Sequence, residues 1–196
     1  MTYIIVGLIL AGGFAFYLTN RKSIGSNKVS TDNDSTKRIH QTKENAYEGL
    51  RNMAFSTTPD QLGLELPVDQ ASVFGVVMDW EMDGATATTV AYLTGDASLY
   101  LTTGGGVIGG GQHENVKIAA KQFVTIAQTY FDKSSKTEKQ LLPAKHQVNF
   151  YLLTNKGLFV GQEEIENLEN NSSSWLELFE EGNKVLNELR LTTENR

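Results

Sequence analysis

Cysteine is absent from the 196 residues, which excludes disulfides, thiolate metal centres and cysteine nucleophiles. Histidine is nearly so: His40, His113 and His146 are the full set, and no two of them fall at an H-x-x-x-H or related spacing, so the sequence predicts no metal site and no cofactor. Cations are scarce in the body of the chain. Residues 45–196 carry 11 Lys/Arg against 20 Asp/Glu, a balance of −9, whereas residues 1–44 carry six against three. An acidic body without a Lys/Arg cluster argues against a nucleic-acid partner, because counterion release needs several cations on one surface.

Charge is also missing from Tyr3 to Leu18, an apolar run without strong polarity. As a helix it would be about 24 Å long, the low edge of a bilayer's hydrocarbon core. No Lys or Arg precedes the run, while Arg21, Lys22 and Lys28 follow it. That order is the reverse of a cleaved signal peptide, and the positive-inside rule puts the following chain in the cytoplasm. The expectation is therefore a transmembrane anchor over 1–19, a flexible linker over 20–44 and a cytoplasmic α+β domain over 45–196. The corresponding location is the inner membrane, single-pass. The linker is polar and aperiodic, and His40 within it has no neighbouring ligand type.

Hydrophobic period organises the rest. Tyr47, Leu50, Met53 and Ala54 predict a short helix with one apolar face. Thr58-Pro59-Asp60-Gln61 has a capping-box pattern and predicts a turn or two of helix before Gly63. Phe74, Val76, Met78, Trp80 and Met82 alternate with Gly75, Val77, Asp79 and Glu81, the pattern of a half-buried strand. Asp83-Gly84 is a hairpin signal leading to a second strand over Thr86–Thr94, and Gly95-Asp96 turns the chain into a third over Ala97–Thr103. A stripe from Val116 to Phe131 predicts a helix, and Asp132–Lys145 reads as a loop. Val148–Thr154 and Leu158–Gly161 form a second hairpin, and Ser174 with Glu177 caps a last helix carrying Trp175, Phe179, Leu186 and Leu189. Trp80 and Trp175 read as core. The predicted fold is α+β, a five-stranded antiparallel sheet with flanking helices, preceded by one N-terminal transmembrane helix.

Gly104-Gly105-Gly106-Val107-Ile108-Gly109-Gly110-Gly111 joins the third strand to the helix starting near His113. Six glycines cost ordering entropy, which points to anion binding, a partner surface, or close backbone packing. Gly104-x-Gly106-x-x-Gly109 matches a dinucleotide fingerprint in form only: the preceding strand arrives by a hairpin rather than a βαβ crossover, and Gln112-His113 stands where a P-loop needs Lys-Ser/Thr. The backbone N–H groups of Gly109 to Gln112 remain candidates for an anion or an acidic side chain. His113 offers an imidazole as acceptor, base or ligand, and Glu114 suits the first turn of a helix. Asp79 and Glu81, on the polar face of the first strand, are expected to be solvated. Asp96 lies in a turn.

The strings Gly75-Val76-Val77-Met78-Asp79-Trp80 and Gly95-Asp96-Ala97-Ser98-Leu99-Tyr100, with the glycine run and His113-Glu114, resemble those of bacterial proteins described only as hypothetical, over roughly Ala46 to Phe131. The resemblance implies a common task but no assigned activity. The layout is similar to profilin-like and roadblock-like domains, whose sheets bind partners or small ligands, an analogy of topology. Three functions stay open. The first is a membrane-tethered cytoplasmic module without catalytic activity, binding a protein partner or itself through the sheet edge and glycine loop. The second is a small-molecule, nucleotide or anion sensor at Gly104, Gly105, Gly106, Gly109, Gly110, Gly111 and Gln112. The third is a hydrolase-type enzyme using His113 and Glu114 with Asp79 or Asp96.

Overall fold

A computed structural model describes residues 46–194. The predicted anchor at Tyr3–Leu18 and the linker lie outside the described residues. Among the described residues, no helix is long and apolar enough to cross a membrane. The expectation of a single-pass inner-membrane protein is corrected to that extent: the described residues contain no membrane-spanning helix.

The chain opens with helix α1 (46–56) and a 3-10 turn at Asp60–Leu62. The capping box at that turn forms: the Thr58 N–H donates to Gln61 Oε1 at 2.9 Å, and the Gln61 N–H to Thr58 Oγ1 at 3.3 Å. Strands β1 (Val73–Met82), β2 (Ala85–Tyr92) and β3 (Ala97–Leu101) follow as an antiparallel meander. The β1–β2 turn is tight because both central residues take positive φ, Asp83 at 48° and Gly84 at 89°. Next come β4 (Gly106–Val107), α2 (Glu114–Gln128), β5 (Ser135–Thr137), β6 (Gln147–Thr154), β7 (Gly157–Glu164), α3 (Ile165–Glu169) and α4 (Leu176–Glu194). The sheet has seven antiparallel strands in the order β4-β3-β2-β1-β6-β7-β5, with β1 in the middle.

The predicted five-stranded sheet is thus corrected to seven strands. The two additions are the edges. Within the glycine run β4 pairs Gly106 with Tyr100 and Val107 with Leu99, and within the predicted loop β5 pairs with β7. Just before the last helix, Ser173 Oγ rather than the expected Ser174 accepts a backbone N–H, that of Trp175, at 2.9 Å.

From Val76 on, the even-numbered residues of β1 meet helices α2 and α4, whereas Phe74, expected on the same face, lies beside a register irregularity at the strand's start and packs with Tyr47 and Tyr151 on the α1 side. Met78 and Val76 are fully buried there, with Phe123, Phe150, Leu178 and Leu189. Each such side chain contributes about 1.5–3 kcal/mol by leaving water. Trp80 stacks edge-on against Phe179, and Trp175 lies parallel to Phe150 at 5.4 Å. Gly182 lets α4 approach: a Cβ there would sit 2.6 Å from Met78 Sδ and 3.1 Å from Phe123 Cζ.

Gly182→Val is therefore expected to cost about 1–3 kcal/mol by overpacking this contact, read as a lower urea midpoint at unchanged slope. An unaltered midpoint would show that the packing has slack.

Candidate functional site

Val77, Asp79 and Glu81 of β1 face the α1 side, and here the expectation of a solvated polar face is corrected. Asp79 is 0% exposed and Glu81 8%. Asp79 sits opposite Thr88 on β2 and Asn149 on β6, so neither sheet neighbour supplies a countercharge. Arg51 does. From α1 its Nη2 donates to Asp79 Oδ2 at 2.6 Å and its Nε to the same oxygen at 3.1 Å, while Thr88 Oγ1 donates to Oδ1 at 2.5 Å. Tyr47 shares a hydrogen bond with Thr88 at 2.7 Å. The buried stripe of α1 is accordingly Tyr47, Arg51 and Ala54, and Met53, expected inside, is 59% exposed.

The network continues into the segment 138–146. Arg51 Nη1 donates to the Gln140 carbonyl at 2.9 Å. The Leu141 carbonyl accepts from Tyr151 Oη at 2.5 Å and from Asn149 Nδ2 at 3.1 Å. The guanidinium also lies over the Phe55 ring, 4.7 Å from its centre. Burial pushes the Asp79 carboxyl up from its ordinary value, with Arg51 and Thr88 pulling it back only in part. Burial works against the Arg51 charge too, but the hydrogen-bonded carboxylate outweighs it and holds Arg51 above its ordinary value. Burial, with Asp79 close by, pushes the Tyr47 phenol up to about 12.

Glu81 is held differently. Its Oε1 accepts the Gly84 N–H at 2.6 Å and its Oε2 the His146 N–H at 2.7 Å. Burial opposes its charge, but the His146 and Gly84 N–H groups prevail and hold the carboxyl below its ordinary value. This pins the β1–β2 hairpin to the start of β6.

The glycine run has mostly structural work. Gly106 has φ 151°, and a Cβ on it would fall 2.1 Å from the Leu99 carbonyl oxygen, so only glycine lets β4 lie against β3. Gly110 is buried under Leu189 of α4, and Gly111 is pressed against Asp96, each leaving no room for a Cβ. Gly104 closes the turn onto Leu101, with its N–H donating to that carbonyl at 2.9 Å, and the Gly105 carbonyl accepts from the Leu101 N–H at 3.2 Å. Gly109 takes φ 72° and its N–H reaches Ser98 Oγ at 3.4 Å. Gln112, His113 and Glu114 are exposed at the start of α2, and His113 makes no side-chain capping bond.

Of the predicted site residues, the structure brings Asp96 together with Gly111. It does not bring Asp79 to His113 or Glu114, since Asp79 is on the sheet face opposite α2. Among the described residues, no three His, Cys, Asp or Glu side chains gather to hold a metal ion. Sequence reasoning missed Arg51, Gln140 and Leu141. A charged residue four positions after Tyr47, on the apolar side of a short helix, was the available signal. In comparisons with known proteins, no family model, curated protein or solved structure matches this chain.

Arg51→Met leaves Asp79 buried without its partner and is expected to lower unfolding free energy by about 3–5 kcal/mol, whereas the double variant with Asp79→Leu regains most of it. A double variant no more stable than the single one would contradict a pair-centred cost. Glu81 sets a separate pH dependence. Its folded value is depressed, so its contribution is complete above the ordinary value of 4.5 and disappears as pH falls through the folded one. Urea titrations between neutral and acid pH are expected to show a shallower acid loss in Glu81→Gln than in the parent, and identical slopes would contradict this.

Proposed function

We propose that this domain is a non-catalytic protein-recognition module that receives a partner's extended segment along its β4 edge. The carrying observation is the difference between the two sheet edges. At the β5 edge, Lys136 lies within the strand and Lys133 and Lys139 flank it, the pattern by which sheets discourage edge-to-edge pairing. The β4 edge has no cation. It offers Gly106 and Val107, then Ile108 at 66% exposure, an apolar side chain beside a backbone that another chain can approach closely. Two paired residues give weak binding by main-chain bonds alone, so Ile108 acts as the side-chain anchor.

The alternatives have less to support them. An anion sensor at the glycine loop is left with the α2 N-terminus, because Gly106, Gly110 and Gly111 already serve packing. A hydrolase needs an acid, a base and a substrate gathered in one cleft. Here His113 and Glu114 are exposed, and Asp79 is engaged by Arg51 on the other face.

Affinity capture from cells with the intact chain, Ile108→Asp and Lys136→Glu tests the reading. The expected result is a bound protein retained by the intact chain and Lys136→Glu and lost from Ile108→Asp. Equal recovery by all three would contradict it.

A further inference from the structure

The segment 138–146 is fixed by its backbone and turns apolar side chains outward. Gln140 and Leu141 offer their carbonyls inward to Arg51, Asn149 and Tyr151, and Pro143 is buried. Leu141 is nonetheless 64% exposed and Leu142 47%. Lys139 and Lys145 bracket them. Two adjacent leucines held out by a buried polar clamp, inside a basic frame on an otherwise acidic body, form a preorganised anchor.

A mixed polar and apolar cleft lies on the same side of the sheet. An open cleft of about 410 Å³ runs along the chain between the 3-10 turn and β1. Pro59, Leu64 and Leu66 give it apolar footing, Asp60 and Glu65 give it carboxylates, and Asn155 and Lys156 make the rest of its lining polar. Leu64 and Leu66 pack on the cluster that includes Tyr47, Tyr151 and Leu153, which places the cleft on the α1 side. Its outer wall is tied down: Asn155 Nδ2 donates to the Pro67 carbonyl at 2.5 Å and Lys156 Nζ to the Val68 carbonyl at 2.6 Å. The clamp at Tyr151 in β6 and the tie at Asn155, just past the end of that strand, are four residues apart, about 13 Å.

We propose that the Leu141–Leu142 anchor of one copy docks in the Pro59–Leu66 cleft of a second copy, reciprocally, giving a two-fold dimer. A two-fold interface requires anchor and receptor on one face of each copy, which this placement satisfies. Charge agrees: Lys139 and Lys145 meet Asp60 and Glu65, and the cleft's own cation, Lys156, is engaged by the Val68 carbonyl at its outer wall. This surface is separate from the β4 edge, and neither reading depends on the other.

Sedimentation equilibrium of the full chain over a wide concentration range tests the proposal. The expected weight-average mass rises from 21.6 kDa toward twice that value and falls back with added salt. Leu141→Asp with Leu142→Asp is expected to weaken the dimer by about a hundredfold. Asp60→Lys with Glu65→Lys is expected to weaken it similarly, and adding Lys139→Glu with Lys145→Glu to that variant restores it. Circular dichroism of each variant confirms that it folds. A monomer at every concentration, as expected if the anchor serves a different acidic protein, overturns the proposal. So does self-association that the anchor and cleft variants leave unchanged.

Discussion

Asp79 occupies the middle strand of the sheet, out of contact with water, and its charge has one answer, the guanidinium of Arg51. Much of the α1 side follows from that pairing. A lone buried carboxylate is costly to keep ionised, and a lone buried arginine equally so, so the helix and the strand are obliged to meet in one register. Thr88, itself bonded to Tyr47, completes the carboxylate's hydrogen bonds on one side, and the carbonyls of Gln140 and Leu141 complete the guanidinium's on the other. An apolar pair could be as stable; what the ionic pair adds is position. It fixes where α1 lies and where the segment after β5 crosses the sheet, and hence which leucines that segment leaves in solvent.

The opposite face works by ordinary packing. Gly182 and Gly161 are the places where large side chains, Met78 with Phe123 in one case and Trp175 in the other, require a residue with no Cβ. The glycine run belongs to the same logic. Its conformational freedom goes into folding β4 against β3 and seating α2 and α4 over the turn at Asp96. The surface left over is a nearly uncharged edge ending in Ile108, in contrast to the lysine-marked edge across the sheet.

The meander of β1, β2 and β3 was legible from alternation and from Asp83-Gly84, and α2 from a stripe that runs to Phe131, three residues past the helix's end at Gln128. The edges were not. β4 consists of one glycine and one valine, and β5 of Ser-Lys-Thr, so neither carries a hydrophobic period and both exist only because a longer neighbour pairs with them. Asp79 was assigned to the right face and given the wrong environment: alternation separates the two faces of a strand but does not say that a second layer covers the polar one. Arg51 was missed for the same reason, since a charged residue in a short helix counts toward the solvent side unless its partner is known. Of the candidate site residues, Asp96 and Gly111 meet, a contact that no period or spacing in the sequence implied.

The account's central claim is that one buried pair positions both α1 and the segment carrying Leu141. Amide hydrogen exchange of Arg51→Met against the intact chain addresses it directly. The claim predicts that protection falls together in residues 46–56 and 138–146 while α2 and α4 keep theirs. Unchanged protection in α1, or a loss spread evenly over all helices, would contradict it.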